Sequence, residues 1–316
     1  MDHFACLFPG QGSQSVGMGK DLYDRSPLAR EIFNRADEAL GFAVSRLCFE
    51  GPEEELRLTR NTQPALLTVS TIAYSLLGAD PVMAAGHSLG EYSALVAAGV
   101  LAFEDAVRLV HKRGTYMQEA VPLGVGAMAA LMGAAYEDVR RKILEAVSGT
   151  VEIANWNSPE QIVIAGHKEA VEEAIRLIRP ARHVMLPVSA PFHTSLMKPA
   201  EDRLGADLDG VAFKVPKFPV VTNVDARPVR TGEEARDALK RQVSRPVLWT
   251  ASMEALREAG ITLCVETGPG KVLSGLMKRI SRGWPEPPAL ANVENWESLE
   301  KARGALSPKA VTKNCR

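Results

Sequence analysis

Short apolar runs closed by glycine or proline alternate along the chain with segments whose apolar residues recur every three to four positions. Phe4 to Phe8 is the first run and reads as a buried strand, broken by Pro9-Gly10-Gln11-Gly12. Helical periodicity follows over Pro27 to Leu40 and from Thr62 to about Leu77. Val82 to Ala85, after Pro81, is too short for a helix and reads as a second buried strand. It runs into Gly86-His87-Ser88-Leu89-Gly90, then a helix over Glu91 to Ala98 and another over Phe103 to Val121.

The pattern changes after Pro122 to Gly126. Strand over Ala127 to Leu131, helix over Tyr136 to Val147 and strands over Val151 to Ala154 and Gln161 to Ala165 are expected, then a helix over Lys168 to Ile178 and a strand over His183 to Leu186. That order, βαββαβ, predicts a ferredoxin-like subdomain over 126–187, inserted into a larger unit formed by 1–125 and 188–303. The second half of the larger unit should hold a helix from Leu196 to about Leu208, a strand near Val220-Val221, and helices over Glu233–Gln242 and Val247–Ala259. A strand over Leu263 to Glu266, closed by Gly268-Pro269-Gly270, and a helix through Ile280 complete it. Strand–helix alternation of this kind predicts an α/β fold with a mostly parallel sheet. The polar, unpatterned residues 304–316 read as a disordered tail.

Composition narrows the function classes. Lys and Arg number 37 against 38 Asp and Glu, a net charge of −1, so no net field draws the protein to nucleic acid or to an anionic membrane. Four scattered cysteines, Cys6, Cys48, Cys264 and Cys315, form no CxxC pair and lie near no histidine at ligand spacing. They read as thiols in a reducing compartment, with neither a disulfide frame nor a metal site. The amino terminus shows no secretory leader, and no apolar stretch is long enough to span a bilayer, so a cytoplasmic protein is expected. The oligomeric state stays open, a monomer being compatible with the sequence.

Gly86-His87-Ser88-Leu89-Gly90 matches G-x-S-x-G with an apolar strand before it and a helix after it, the context in which a sharp turn exposes a nucleophilic serine. The backbone N–H of Leu89 and the helix amino terminus then face the oxyanion that forms on an attacked carbonyl. A serine at its ordinary pKa needs a base. Of the six histidines, His3, His111, His167 and His183 fall at a terminus or inside predicted elements. His87 points away along the backbone and reads as a structural hydrogen-bonding residue at the edge of the site. His193, in Ser189-Ala190-Pro191-Phe192-His193-Thr194-Ser195, lies where the insert returns to the main unit, a natural place for a cleft residue; an ordinary loop histidine fits the same position.

Beyond that elbow, Phe8-Pro9-Gly10-Gln11-Gly12-Ser13-Gln14, Gly86-His87-Ser88-Leu89-Gly90-Glu91-Tyr92, His111-Lys112-Arg113-Gly114, Ala154 to Pro159, Arg241-Gln242 before Pro246-Val247, and Glu266 to Leu273 stand in order from about residue 4 to residue 280. In these motifs the chain resembles malonyl-CoA:acyl carrier protein transacylases, free-standing acyltransferases of fatty acid and polyketide synthesis. The resemblance implies a hydrolase-like α/β core carrying the ferredoxin-like insert. It makes Ser88 the nucleophile that accepts malonyl, His193 the base, and Gln242 the marker of a backbone carbonyl that holds the histidine in place of an Asp. It makes the N–H groups of Gln11 and Leu89 the oxyanion hole. Arg113 would pair with the malonyl carboxylate, for which a planar guanidinium is suited as an ammonium is not; by itself it also fits an exposed helix arginine. Met117, one turn on, and Phe192, His87, Gln63 and Asn155 would line the acyl pocket; a methionine at that spacing also fits plain core, and Gln63 and Asn155 also fit turn or cap residues.

Phe192 departs from the small serine of many fatty-acid members and looks like the Phe of malonyl-selective polyketide acyltransferases, where a ring fills the volume of an α-methyl. The activity implied is ping-pong transfer of malonyl from malonyl-CoA to the phosphopantetheine thiol of holo acyl carrier protein, with a coenzyme A thioester as substrate and no metal or tightly bound cofactor. The same resemblance fits a trans-acting enzyme of a polyketide synthase. Lys271, Lys278 and Arg279 are candidates for a basic rim that meets the acidic carrier. Two rivals remain: a serine hydrolase, which gains nothing from a buried Arg113 if its acyl chains are neutral, and a non-catalytic docking module, which does not need Ser88, His193 and Gln11 together.

Overall fold

The computed structural model describes residues 3–306 apart from 123, 147 and 189. Strand β1 (Phe4–Phe8) leads into helices α1 (Lys20–Arg25), α2 (Pro27–Leu40), α3 (Val44–Glu50), α4 (Glu53–Arg57) and α5 (Thr59–Leu77), then β2 (Met83–Gly86), α6 (Gly90–Ala97) and α7 (Phe103–Glu119). β3 (Gly126–Met132), α8 (Tyr136–Lys142), β4 (Val151–Ser158), β5 (Gln161–His167), α9 (Lys168–Ile178) and β6 (Arg182–Met185) follow. The chain closes with α10 (Lys198–Asp209), β7 (Val220–Val221), β8 (Pro228–Val229), α11 (Gly232–Gln242), α12 (Trp249–Glu258), β9 (Leu263–Thr267), α13 (Val272–Ile280), β10 (Ala289–Val293) and α14 (Trp296–Leu306).

The larger sheet has the order β10-β9-β1-β2-β7-β8, parallel throughout except for the β7–β8 pair. Its central strand shows why the run at Phe4 is uniformly apolar. Phe4, Cys6 and Phe8 pack into the core on one face, whereas Ala5 and Leu7 pack on the other against Trp249, Met253, Leu276 and Met277 of α12 and α13. With both faces covered by helices, a two-residue alternation puts apolar groups at every position.

The second sheet, β4-β5-β3-β6, is antiparallel throughout and has the ferredoxin-like strand order. Ala127, Ala129 and Leu131 of β3 face α8 and α9, whereas Met128 and Ala130 join the main core, so one strand serves both. A parallel bridge between Asn155 and Val247 ties β4 to the larger unit, with Val247 N–H donating to Ala154 O at 2.9 Å and Trp156 N–H to Val247 O at 2.9 Å.

The mixed α/β class with a parallel-rich sheet and a separate antiparallel sheet is as the sequence predicts. Several details differ. Val247 is drawn into the bridge to β4, so the expected helix from Val247 starts at Trp249 instead. The helix from Tyr136 tightens into a 3₁₀ turn over Ile143–Glu145, and its expected end at Val147 lies outside the described residues. Gly304 to Leu306, assigned to a tail, form the last turn of α14, anchored by buried Leu299 and Ala302; 307–316, with Cys315, lie outside the described residues. The described cysteines, Cys6, Cys48 and Cys264, are free and buried.

Candidate active site

β2 ends at Gly86 and α6 starts at Gly90, which leaves three residues to reverse the chain. The turn is tight enough that a Cβ on Gly86 would sit 1.9 Å from Gly90 C, and one on Gly90 2.0 Å from Phe8 O, so only glycine fits. Ser88 at its apex has φ 52°, the left-handed region that costs a non-glycine residue on the order of 1–3 kcal/mol. Asn223, from the loop after β7, offsets that strain. Its Oδ1 accepts from Ser88 N–H at 2.7 Å, and its Nδ2 donates to Gly86 O at 2.7 Å.

His193 also has a positive φ, 60°, and is buried. Its Nδ1 lies 2.8 Å from the backbone carbonyl of Gln242 and its Nε2 lies 2.8 Å from Ser88 Oγ. A carbonyl only accepts, so Nδ1 carries the hydrogen and Nε2 offers its lone pair to the serine hydroxyl. Burial, and then the charge of Arg113, hold the imidazole far below its ordinary value, at about 3, so the ring is neutral. Ser88, neutral His193 and a fixed carbonyl together can accept a proton from the hydroxyl as it attacks.

Arg113, from α7, is only 1% exposed. Its guanidinium donates to Gln63 Oε1 at 2.8 Å, to Gln242 Oε1 at 2.8 Å and to Ser88 Oγ at 3.2 Å, with its carbon 5.5 Å from the Tyr92 ring centre. Among the described residues it has no ion pair, an uncommon state for a buried cation. A joint between α5 and α7 fixes it. Pro64 has no N–H for the Arg60 carbonyl four residues back, and His111 Nδ1–H takes that carbonyl at 2.9 Å. Gly114 lets the helices touch there, since a Cβ would lie 2.6 Å from Thr59 O. Gln63 and Arg113 flank the joint.

These groups open on a cavity of about 440 Å³ between the two sheets, whose lining includes Gln11, Gln63, His87, Ser88, Leu89, Arg113, Met117, Asn155, Phe192 and His193. Gln242 lies directly behind it, fully buried. Thus the residues singled out for catalysis, for the oxyanion and for the acyl pocket fall at one site. Among the described residues, neither Gln11 N–H nor Leu89 N–H meets a protein acceptor, and both residues border the cavity beside Ser88. His87 donates from Nε2 to Asn157 Oδ1 at 2.8 Å, with burial lowering its pKa; the Asn157 carbonyl can only accept from it. Asn155 lies within strand β4, not in a turn or cap.

Lys271 pairs with Glu294 at 3.2 Å, and neither it, Lys278 nor Arg279 lines the cavity. Sequence reasoning missed Asn223, whose loop carries no motif. It missed also the insert's contribution, Met128, Leu186, Pro187 and Val188, of which Met128 was legible only as an inward-facing position of β3. Among the described residues no group of three His, Cys, Asp or Glu side chains could hold a metal ion, and no helix is long and apolar enough to cross a membrane.

A serine elbow on a parallel α/β sheet, with a histidine returned from an antiparallel insert, defines an acyl-transfer architecture, and the chain belongs to the acyl transferase domain family, which matches residues 5–289. Within it, the chain is 51% identical over 288 residues to the malonyl CoA-acyl carrier protein transacylase of Escherichia coli (strain K12), covering 89% of this chain and 93% of that one. The transacylase structure from Coxiella burnetii superposes with a TM-score of 0.93 at 40% identity, over 96% of this chain and 98% of that one. A malonyl-transacylase solved with its type II polyketide acyl-carrier protein matches with a TM-score of 0.93 at 44% identity, over 96% and 100%.

Proposed function

We propose that the protein moves malonyl from malonyl-CoA to the phosphopantetheine thiol of an acyl carrier protein through a malonyl ester on Ser88. In the first half-reaction Ser88 Oγ bonds to the thioester carbon while its proton passes to His193 Nε2. The oxygen that gains charge lies at the Gln11 and Leu89 N–H groups. The C–S bond then breaks, and His193 returns the proton to the departing coenzyme A sulfur. The carrier thiol reverses these steps, with His193 accepting its proton and returning it to Ser88. No metal or tightly bound cofactor enters this sequence.

The observation that carries the reading is Arg113, a buried cation whose hydrogen-bond partners are two neutral amide oxygens and the serine hydroxyl. No anion touches it, buried Glu91 acting on it only through the field, and malonyl brings one at the far end of its short chain. Kinship with transacylases of this name supports the same substrate. The aromatic Phe192, and the relative solved with a polyketide carrier, favour a second reading in which the carrier served belongs to a polyketide synthase.

Intact mass spectrometry after brief exposure to malonyl-CoA tests the proposal. One malonyl adduct is expected, absent in Ser88→Ala and transferred when holo carrier protein is added. Free malonate with no transfer would establish a hydrolase. Folded protein that forms neither adduct nor malonate would remove the catalytic assignment, and with it leave only a docking role.

A further inference from the structure

Glu91, in the first turn of α6, is fully buried, and the mechanism above gives it no task. Its Oε2 accepts from the Gln242 side-chain amide at 2.8 Å and from Asn223 N–H at 2.9 Å, while Oε1 has no partner among the described residues. Both donors belong to the centre. Asn223 holds Ser88 N–H, and Gln242 holds His193 through its backbone and Arg113 through its side chain.

A primary amide has a donating end and an accepting end that are nearly the same shape. The NH₂ of Gln242 meets Glu91 Oε2 at 2.8 Å, Ser88 O at 3.0 Å and, more distantly, Asn223 Oδ1 at 3.4 Å, which turns the amide oxygen to Arg113. Turned over, the amide would point N–H at guanidinium N–H. A carboxylate contributes only acceptors and so weights that choice heavily. We propose that Glu91 is a positioning residue that fixes the Gln242 amide and, through it, the Arg113 guanidinium, and so sets how sharply the enzyme separates malonyl from an uncharged acyl group. The proposal rests on the malonyl-transfer reading. Burial raises the Glu91 pKa to about 7, a cost that a simple space-filling residue at this position would not incur.

The ratio of kcat/KM for malonyl-CoA to that for acetyl-CoA tests it, because a smaller working fraction of enzyme scales both values alike. Glu91→Met removes the acceptor at similar volume, whereas Glu91→Gln keeps an oxygen where Oε2 stands. The ratio should fall at least about tenfold in Glu91→Met and stay within about threefold of wild type in Glu91→Gln, in line with loss of the acceptor oxygen in the first and its retention in the second. If Glu91→Met does not fold, Glu91→Asp, one methylene short of Gln242, is held to the tenfold threshold. An unchanged ratio in the folded Met or Asp variant, or an equal loss in Glu91→Gln, overturns the proposal. Wild-type enzyme that never takes malonyl onto Ser88 overturns the transfer reading instead, so the two failures are told apart.

Discussion

At the level of single residues, the centre sets function against stability. Arg113 is desolvated and its hydrogen-bond acceptors are all neutral, with buried Glu91 acting only through the field, and burial pushes its pKa below the ordinary value. Charge-assisted hydrogen bonds contribute about 1.5–3 kcal/mol each, so losing a two-oxygen grip on malonyl removes on the order of a thousandfold in kcat/KM. Arg113→Met should therefore lose that much malonyl transfer while its melting temperature holds or rises, because an unpaired buried cation has gone. Steady-state kinetics beside thermal unfolding checks both halves. His193 yields a pH prediction. Its imidazolium is disfavoured, so protonation would silence the base only as pH falls towards about 3. The rate of malonyl-enzyme formation, followed by rapid quench, should lack the decline near pH ~6.5 that an ordinary histidine imposes. Ser88, His193 and Arg113 were legible because each stands in a local motif. Asn223 was not, since it meets Ser88 across 135 positions and from a loop without punctuation.

At the level of elements, legibility followed local signal. β1 and β2 are short apolar runs with glycine after them, and both fall within a residue of expectation. α3 and α4, of 7 and 5 residues, are too short to establish a period, and β10, only partly buried, lacks the apolar run that marked the inner strands. α5 begins at Thr59, three residues before the expected Thr62, because a proline inside a helix needs its orphaned carbonyl satisfied from outside, and His111 does so. The close contact beside it is testable. Gly114→Ala places a methyl 2.6 Å from Thr59 O and should cost about 1–3 kcal/mol in denaturant unfolding as the two helices part. Malonyl transfer should fall further than acetyl transfer, since Gln63 and Arg113 ride on the separated helices.

Across the whole molecule, the insert lines the cleft and also braces the segment that carries His193. Glu152 of β4 accepts from Ser195 N–H at 3.0 Å and from Ser195 Oγ–H, two residues beyond His193. Net hydrogen bonds at exposed sites are small, about 0.5–1.5 kcal/mol, so Glu152→Ala should slow acylation roughly two- to tenfold. The malonyl-to-acetyl ratio should not move, because Arg113 is untouched; a shifted ratio in the same kinetic assay would refute this division of labour. The order of the inserted strands was readable from βαββαβ, but the bridge from Asn155 to Val247 joins two parts by backbone alone and leaves no mark in side-chain pattern.

The proline–histidine joint bears on how acyl preference can be rewritten. Because α5, with Gln63, is bolted to α7, with Arg113, through Arg60 O and Gly114, neither helix holds its half of the pocket independently. A chimera that imports α7 alone from an enzyme with a different preference inherits a mismatched hinge pin. One that carries 59–64 together with 111–117 transplants the pocket as a single cassette.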